Sequence, residues 1–126
     1  MAADPSAHIL LVDDEAALVN LMQLVLTRLG YSAEKTESAS GALEMVNEAP
    51  GHFKVAVVDI TLPDRSGQEL AVELAELNPA MRFLLCSGYP FEVSMLPRPL
   101  QARFGFLQKP FLPKMLVAAI DELLAR

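Results

Sequence analysis

Four small groups of residues in this chain have the types and the placement to do chemistry together: the acidic pair Asp13-Asp14, Asp59, the Ser87-Gly88 step and Lys109. Each comes at the end of a short apolar run: His8 to Val12, Val55 to Val58, Met81 to Cys86, and Phe106 to Gln108. Apolar runs of that length, closed by a polar residue, read as buried parallel strands. In an open α/β sheet the carboxyl ends of the strands face one crevice, so the groups converge there. Three carboxylates held that close repel one another at neutral pH unless a cation shares the site. Oxygen ligands with no cysteine and no suitably placed histidine point to Mg²⁺, which keeps several waters and takes a phosphoryl oxygen as a further ligand. Lys109 then supplies a fixed positive charge for a phosphoryl group, and the Ser87 hydroxyl and Gly88 amide can donate hydrogen bonds to its oxygens. One carboxylate remains as nucleophile.

The elements that must position these groups alternate along the chain without linker or repeat. After the first strand, Leu18, Leu21, Met22, Val25 and Leu29 recur at helical spacing, and Gly30 closes that helix. A short strand from Ala33 to Thr36 follows, then a helix capped by Ser40 and running to about Glu48, broken by Pro50-Gly51 before the strand that ends at Asp59. Leu62 to Arg65 is a loop, and Ser66 with Glu69 makes a capping box for a helix to about Leu77, ended by Asn78-Pro79. Between Tyr89 and Phe104, Pro90, Pro97 and Pro99 permit only a short helix, around Phe91 to Leu96. Pro113 opens the last helix, whose apolar stripe is Leu116, Ala119, Ile120, Leu123 and Leu124. Five βα units predict a five-stranded, doubly wound parallel sheet, with the connection between the fourth and fifth strands short or irregular.

Length and composition bound the function. The 126 residues fit one domain with a real core, leave no room for an output domain, and need no disulfide or structural metal. No apolar run approaches the roughly 18 to 20 residues that cross a bilayer, and Met1 to Ser6 has neither the basic nor the apolar part of a signal peptide. The single Cys86 fits a reducing, cytoplasmic setting without membrane contact. A net charge of −6 with ten scattered basic residues argues against a nucleic-acid surface.

Several of these residues also have plainer roles. Asp14 alone reads equally well as the N-cap of the first helix, but Asp13 beside it cannot cap the same helix, so the pair favours a metal. Asp59 alone would be a turn residue and Lys109 a solvated charge, although Pro110 directly after it suggests a fixed, cis peptide. Cys86 reads as a small buried hydrophobe, the methionines as core filler, and His8 and His52 as strand-start residues at the far end from the site that form no ligand pair. With Leu18 at the buried centre of the first helix, Val19, Leu24 and Leu26 are left over, a surplus that reads equally as scattered exposed side chains or as a docking patch for a partner.

Val12-Asp13-Asp14-Glu15, Asp59 with Leu62-Pro63 and Gly67, Ser87-Gly88, and Lys109-Pro110-Phe111 together resemble the receiver domain of two-component response regulators over essentially the whole chain. The separations, 45 from Asp14 to Asp59, 28 on to Ser87 and 22 on to Lys109, are those the family shows. The resemblance implies a flavodoxin-like fold in which Asp59 accepts a phosphoryl group from a phosphohistidine on a histidine kinase or phosphotransfer domain. It also implies that Asp13, Asp14, Asp59 and the Thr61 carbonyl hold Mg²⁺ while Lys109 bonds the phosphoryl group. By the same resemblance Ser87 and Phe106 are switch residues, and Thr61 and Tyr89 flank the path of hydrolytic water. Cys86-Ser87-Gly88-Tyr89 and Phe106 to Phe111 look most like receivers at the C-terminal end of hybrid histidine kinases. Such a module is not an enzyme in the ordinary sense, although it assists its own phosphorylation and dephosphorylation. The competing enzyme, a haloacid-dehalogenase-like phosphohydrolase, needs a second Asp two positions after the nucleophile, where Thr61 stands. A stand-alone receiver that shuttles phosphate is the other alternative.

Overall fold

The computed structural model describes residues 8–126, so Met1 to Ser6, read above for a targeting signal, lies outside the described residues. Five parallel strands, β1 (His8–Val12), β2 (Ser32–Thr36), β3 (Phe53–Asp59), β4 (Arg82–Ser87) and β5 (Phe104–Gln108), form one sheet in the order β2-β1-β3-β4-β5. The helices are α1 (Ala16–Arg28), α2 (Ala39–Glu48), α3 (Gly67–Leu77) and α4 (Pro113–Ala125). Side chains alternate across the strands and divide the interior in two. Leu10, Val12, Ala56, Val58, Phe83 and Leu85 meet α2 and α3, whereas Ile9, Leu11, Val55, Val57, Leu84 and Cys86 meet α1 and α4. Burial on both faces explains why β1, β3 and β4 are continuous apolar runs, with each fully buried leucine stabilising the fold by about 1.5–3 kcal/mol.

Local details depart from the sequence reading in α1, at the α2 cap and at the start of β5. In α1 the row facing the sheet is Val19, Met22 and Leu26, all buried, while Leu21, Leu24 and Leu29 are about half exposed. The apolar stripe is therefore turned by roughly a fifth of a turn, and Val19 and Leu26 are core rather than docking residues. The N-cap of α2 is Ser38, whose hydroxyl accepts from the Gly41 amide, not Ser40. β5 begins at Phe104, two residues early, because Phe104 stacks on Phe83 at 4.9 Å inside the core. Between β4 and β5 the connection is short and irregular, as the prolines predict: two 3₁₀ turns, Val93–Met95 and Arg98–Arg103.

The other signals hold. Ser66 caps α3 by accepting from Glu69 N, Pro113 stands in the first turn of α4, and Leu116, Ile120 and Leu123 of its stripe are buried. No described helix is long and apolar enough to cross a membrane.

Candidate functional site at the carboxyl ends of the strands

The sheet delivers three of the chemical groups directly. Asp13 follows the last residue of β1, and its amide continues the ladder to Thr36 O at 3.2 Å. Asp59 is the last residue of β3, paired with Cys86, while Lys109 follows β5 and is tied by its amide to Ser87 O at 2.8 Å. The Lys109-Pro110 peptide is cis, as the sequence suggested. Beyond β3 the chain turns within seven residues into α3, and Gly67 N bonds Ile60 O at 2.8 Å. A Cβ on Gly67 would lie 1.9 Å from the Asp59 carbonyl oxygen, so only glycine lets α3 start this close to the site.

The Lys109 ammonium sits 2.9 Å from Asp13 Oδ2, 3.1 Å from Glu15 Oε1 and 3.2 Å from Asp59 Oδ2. The remaining oxygens of the two aspartates are held by the backbone: Asp13 Oδ1 accepts from Glu15 N at 2.9 Å, and Asp59 Oδ1 from Thr61 N at 3.1 Å. Asp14 is exposed, and the N-cap of α1 is Glu15, so Asp14 is not that helix's cap. Asp13, Asp14 and Asp59 each place an oxygen within 4.8 Å of the others. That donor set, hard oxygens without sulfur or imidazole, fits a small divalent cation. Gly88, Thr61, Pro110 and Phe111 complete the wall of a cleft of about 660 Å³ over these groups.

One cation cannot neutralise this much negative charge. Burial raises the pKa of Asp59 above the ordinary carboxylate value, Asp13's charge adds to the rise, and the Thr61 amide and Lys109 oppose it without cancelling it. Burial alone would lower the pKa of Lys109, but its hydrogen bonds to Asp13 and Glu15 and the charges of Asp13 and Asp59 outweigh that, so it is held firmly protonated. The Cys86 thiol, buried under the site, is pushed up to about 12, which removes it as a nucleophile.

The structure thus brings Asp13, Asp14, Asp59, Lys109, Thr61 and Gly88 to one cleft. Ser87 is buried beside it with its hydroxyl accepting from Tyr89 N at 3.0 Å. Phe106 is half-buried, its ring 5.8 Å from that of Phe91, and Tyr89 is largely exposed. Val19 and Leu26 do not reach the surface, which leaves Leu24 of the three expected docking residues. His8 and His52 do lie ring against ring at 4.0 Å, with His52 Nε2 3.2 Å from Glu34, at the amino end of the sheet. Two polar groups escaped the sequence reading of the site. Glu15 had no signal beyond its place after the acidic pair. Asp64 accepts from both Ala39 N and Ser40 N at 2.9 Å, which ties the loop after Asp59 to the start of α2 and lowers the Asp64 pKa.

Residues 9–121 match the response regulator receiver domain. The chain belongs to that family. It is 35% identical over 121 residues to the sensor kinase CckA of Brucella abortus, covering 96% of this chain and 13% of that protein. It is 30% identical over 118 residues to the transcriptional regulatory protein GlrR of Escherichia coli, covering 94% of this chain and 26% of that one. The chain therefore spans only a small part of these relatives. Among solved structures, a CheY-like receiver domain protein from Methanospirillum hungatei superposes with a TM-score of 0.80 at 30% identity, covering 92% of this receiver and 91% of that chain. The flavodoxin-like, doubly wound architecture and the two-component receiver class are thereby established, and the phosphohydrolase alternative is not supported.

Proposed function

We propose that Asp59 is the phosphoacceptor, and that residues 1–126 act as a single receiver unit taking its phosphoryl group from a phosphohistidine on a histidine kinase or phosphotransfer domain. The observation that carries this is the Lys109 ammonium bridging Asp13 and Asp59 at 2.9 and 3.2 Å. It joins the buried acid that would hold a metal to the acid that would attack. Asp13, Asp14, Asp59 and the Thr61 carbonyl would hold Mg²⁺. When bound, the cation offsets the repulsion between Asp59 and the incoming phosphoryl oxygens. An Asp59 carboxylate oxygen forms the new bond to phosphorus as the bond to the donor imidazole nitrogen breaks, the electron pair leaving with the nitrogen. Lys109 then donates to a phosphoryl oxygen, joined by the Ser87 hydroxyl and the Gly88 amide.

Ser87 gives up its bond to Tyr89 N in that step, and the half-buried Phe106 turns inward against the space it vacates. Thr61 and Tyr89 stand on either side of the water path that returns Asp59 to its free form. Docking uses α1 beside the cleft, through exposed Leu21 and Leu24 in place of buried Val19 and Leu26. The setting is cytoplasmic, without nucleic-acid or membrane contact, and the resemblance to CckA suggests a place within a hybrid kinase. Incubation with Mg²⁺ and acetyl phosphate, followed by intact-mass spectrometry, should add one phosphoryl mass to the parent chain and none to Asp59→Asn. Equal labelling of the variant would sink the assignment.

A further inference from the structure

Glu15 is the member of the Lys109 cluster for which the receiver mechanism has no task. It is the N-cap of α1, in an extended conformation suited to capping, yet its side chain makes no cap hydrogen bond. The carboxylate reaches instead to Lys109 Nζ, 3.1 Å away. Its side chain is 62% exposed, against 3% for Asp13 and 7% for Asp59.

An ammonium has three N–H donors, and the three carboxylates around Lys109 occupy all of them. A phosphoryl oxygen arriving on Asp59 needs a donor from Lys109, so a partner must be released. Asp13 cannot leave easily, because it is buried and its other oxygen is fixed by the Glu15 amide. Asp59 carries the new group. Glu15 alone can swing into water at small cost.

We propose that Glu15 is an anionic place-holder on Lys109: it keeps the ammonium engaged in the resting site and sets the rate of phosphorylation by yielding its hydrogen bond to the incoming phosphoryl group. The inference rests on Asp59 being the phosphoacceptor. In the step concerned, the Asp59–phosphorus bond forms as the bond from phosphorus to the donor oxygen breaks, and acetate leaves with the electron pair when acetyl phosphate is the donor. Glu15 touches none of these atoms; it acts through Lys109 as a positioning residue.

Two variants separate contact from charge. Glu15→Gln removes the charge, whereas Glu15→Asp keeps it on a side chain one methylene shorter, which turns back to cap the helix. With Mg²⁺ and acetyl phosphate, both should be phosphorylated about two- to fivefold faster than the parent, the range that the loss of an exposed ion pair sets. Beryllofluoride affinity followed by ¹⁹F NMR should rise by a similar factor, and the Lys109 ammonium resonance of Glu15→Asp should shift in the absence of any metal. If Glu15→Asp phosphorylates at the parent rate and its Lys109 resonance does not move, the place-holder role is overturned, whatever Glu15→Gln does. A parent chain that takes no phosphoryl group would instead overturn the phosphoacceptor assignment, and this inference with it.

Discussion

The connections on either side of β4 solve one problem in opposite ways. Before β4 the crossover is α3, which buries Leu70, Ala71, Leu74 and Ala75 against the sheet. After it, residues 89–103 hold two 3₁₀ turns that bury no residue, and Leu96 between them is the only buried side chain of the segment. Phe91, Val93 and Leu100 only partly bury themselves against the core, so packing holds this connection less than it holds α3. Arg103 adds hydrogen bonds: its guanidinium donates to Met81 O at 2.9 Å, Ala75 O at 3.1 Å and Asn78 O at 2.6 Å, while lying over the Phe83 ring. The lesson is that one half-buried fork of donors can supplement a thin packing face, at the cost of concentrating load on a single residue.

That contrast is broken most severely at Arg103. Arg103→Ala takes this donor from the Ala75 and Met81 carbonyls, while Asn78 O keeps its bond from Met81 N, and since an unmet buried group costs about 1–3 kcal/mol, with water recovering part, chemical denaturation should show a loss of about 2–4 kcal/mol. Arg65→Ala, which removes only the exposed pair with Glu73, should cost under about 1 kcal/mol in the same assay. Similar losses would mean that the fork carries no special load. The contrast is sharpened at Pro97 and Pro99. If the prolines alone prevented a helix, replacing both by alanine would lengthen the turns into one, whereas the present turns are also tied in place by the Arg103 guanidinium and by the Gln101 amide, which donates to Ser94 O and Leu96 O. We expect a far-UV gain of under about one turn, roughly four residues.

A third test sets the site end of the sheet against the rest of the core. Burial raises the Asp59 pKa, so the unfolded chain gives up this proton more readily than the folded one. Stability therefore falls as pH rises from the unfolded value of Asp59 through its raised folded value. In metal-free buffer Asp59→Asn should unfold at a higher temperature than the parent at pH 7, and the difference should vanish near pH 3, where both forms are neutral. A constant difference across that range would assign the effect to something other than this charge. The smallest effect is expected at α2. Ser38→Ala removes an N-cap ordinarily worth about 1 kcal/mol, but Asp64 still accepts from Ala39 N and Ser40 N, so about half of that should appear as a shift in the denaturation midpoint.

The carboxyl-end crevice was legible because strands buried on both faces must be apolar throughout, which makes Asp13, Asp59 and Lys109 conspicuous where the runs stop. The phase of α1 was not, because two apolar rows that share Met22, Leu18-Leu21-Met22-Val25-Leu29 and Val19-Met22-Leu26, overlap on one helix. Both satisfy the 3.6 period, and only packing against the sheet chooses the second. The α2 start was ambiguous for a similar reason, with serines at 38 and 40 and only the backbone at Ser38 extended. Glu15 and Arg103 act through the reach of long side chains to groups distant in sequence. Local pattern carries no trace of that.

The strand order leaves β2 and β5 at the margins of the sheet, and both margins are closed to further strands by charge. Along β2, Glu34 engages His52 and the Lys35 ammonium engages Asn20 beside an exposed backbone. At the start of β5, the Arg126 guanidinium occupies the carbonyl of Phe104 at 2.9 Å and that of Ala102 at 3.3 Å. Unpaired strand edges are where folded chains begin to aggregate or swap segments. Here an incoming strand would first have to displace these charged side chains, which guards the sheet against growing into that of another molecule.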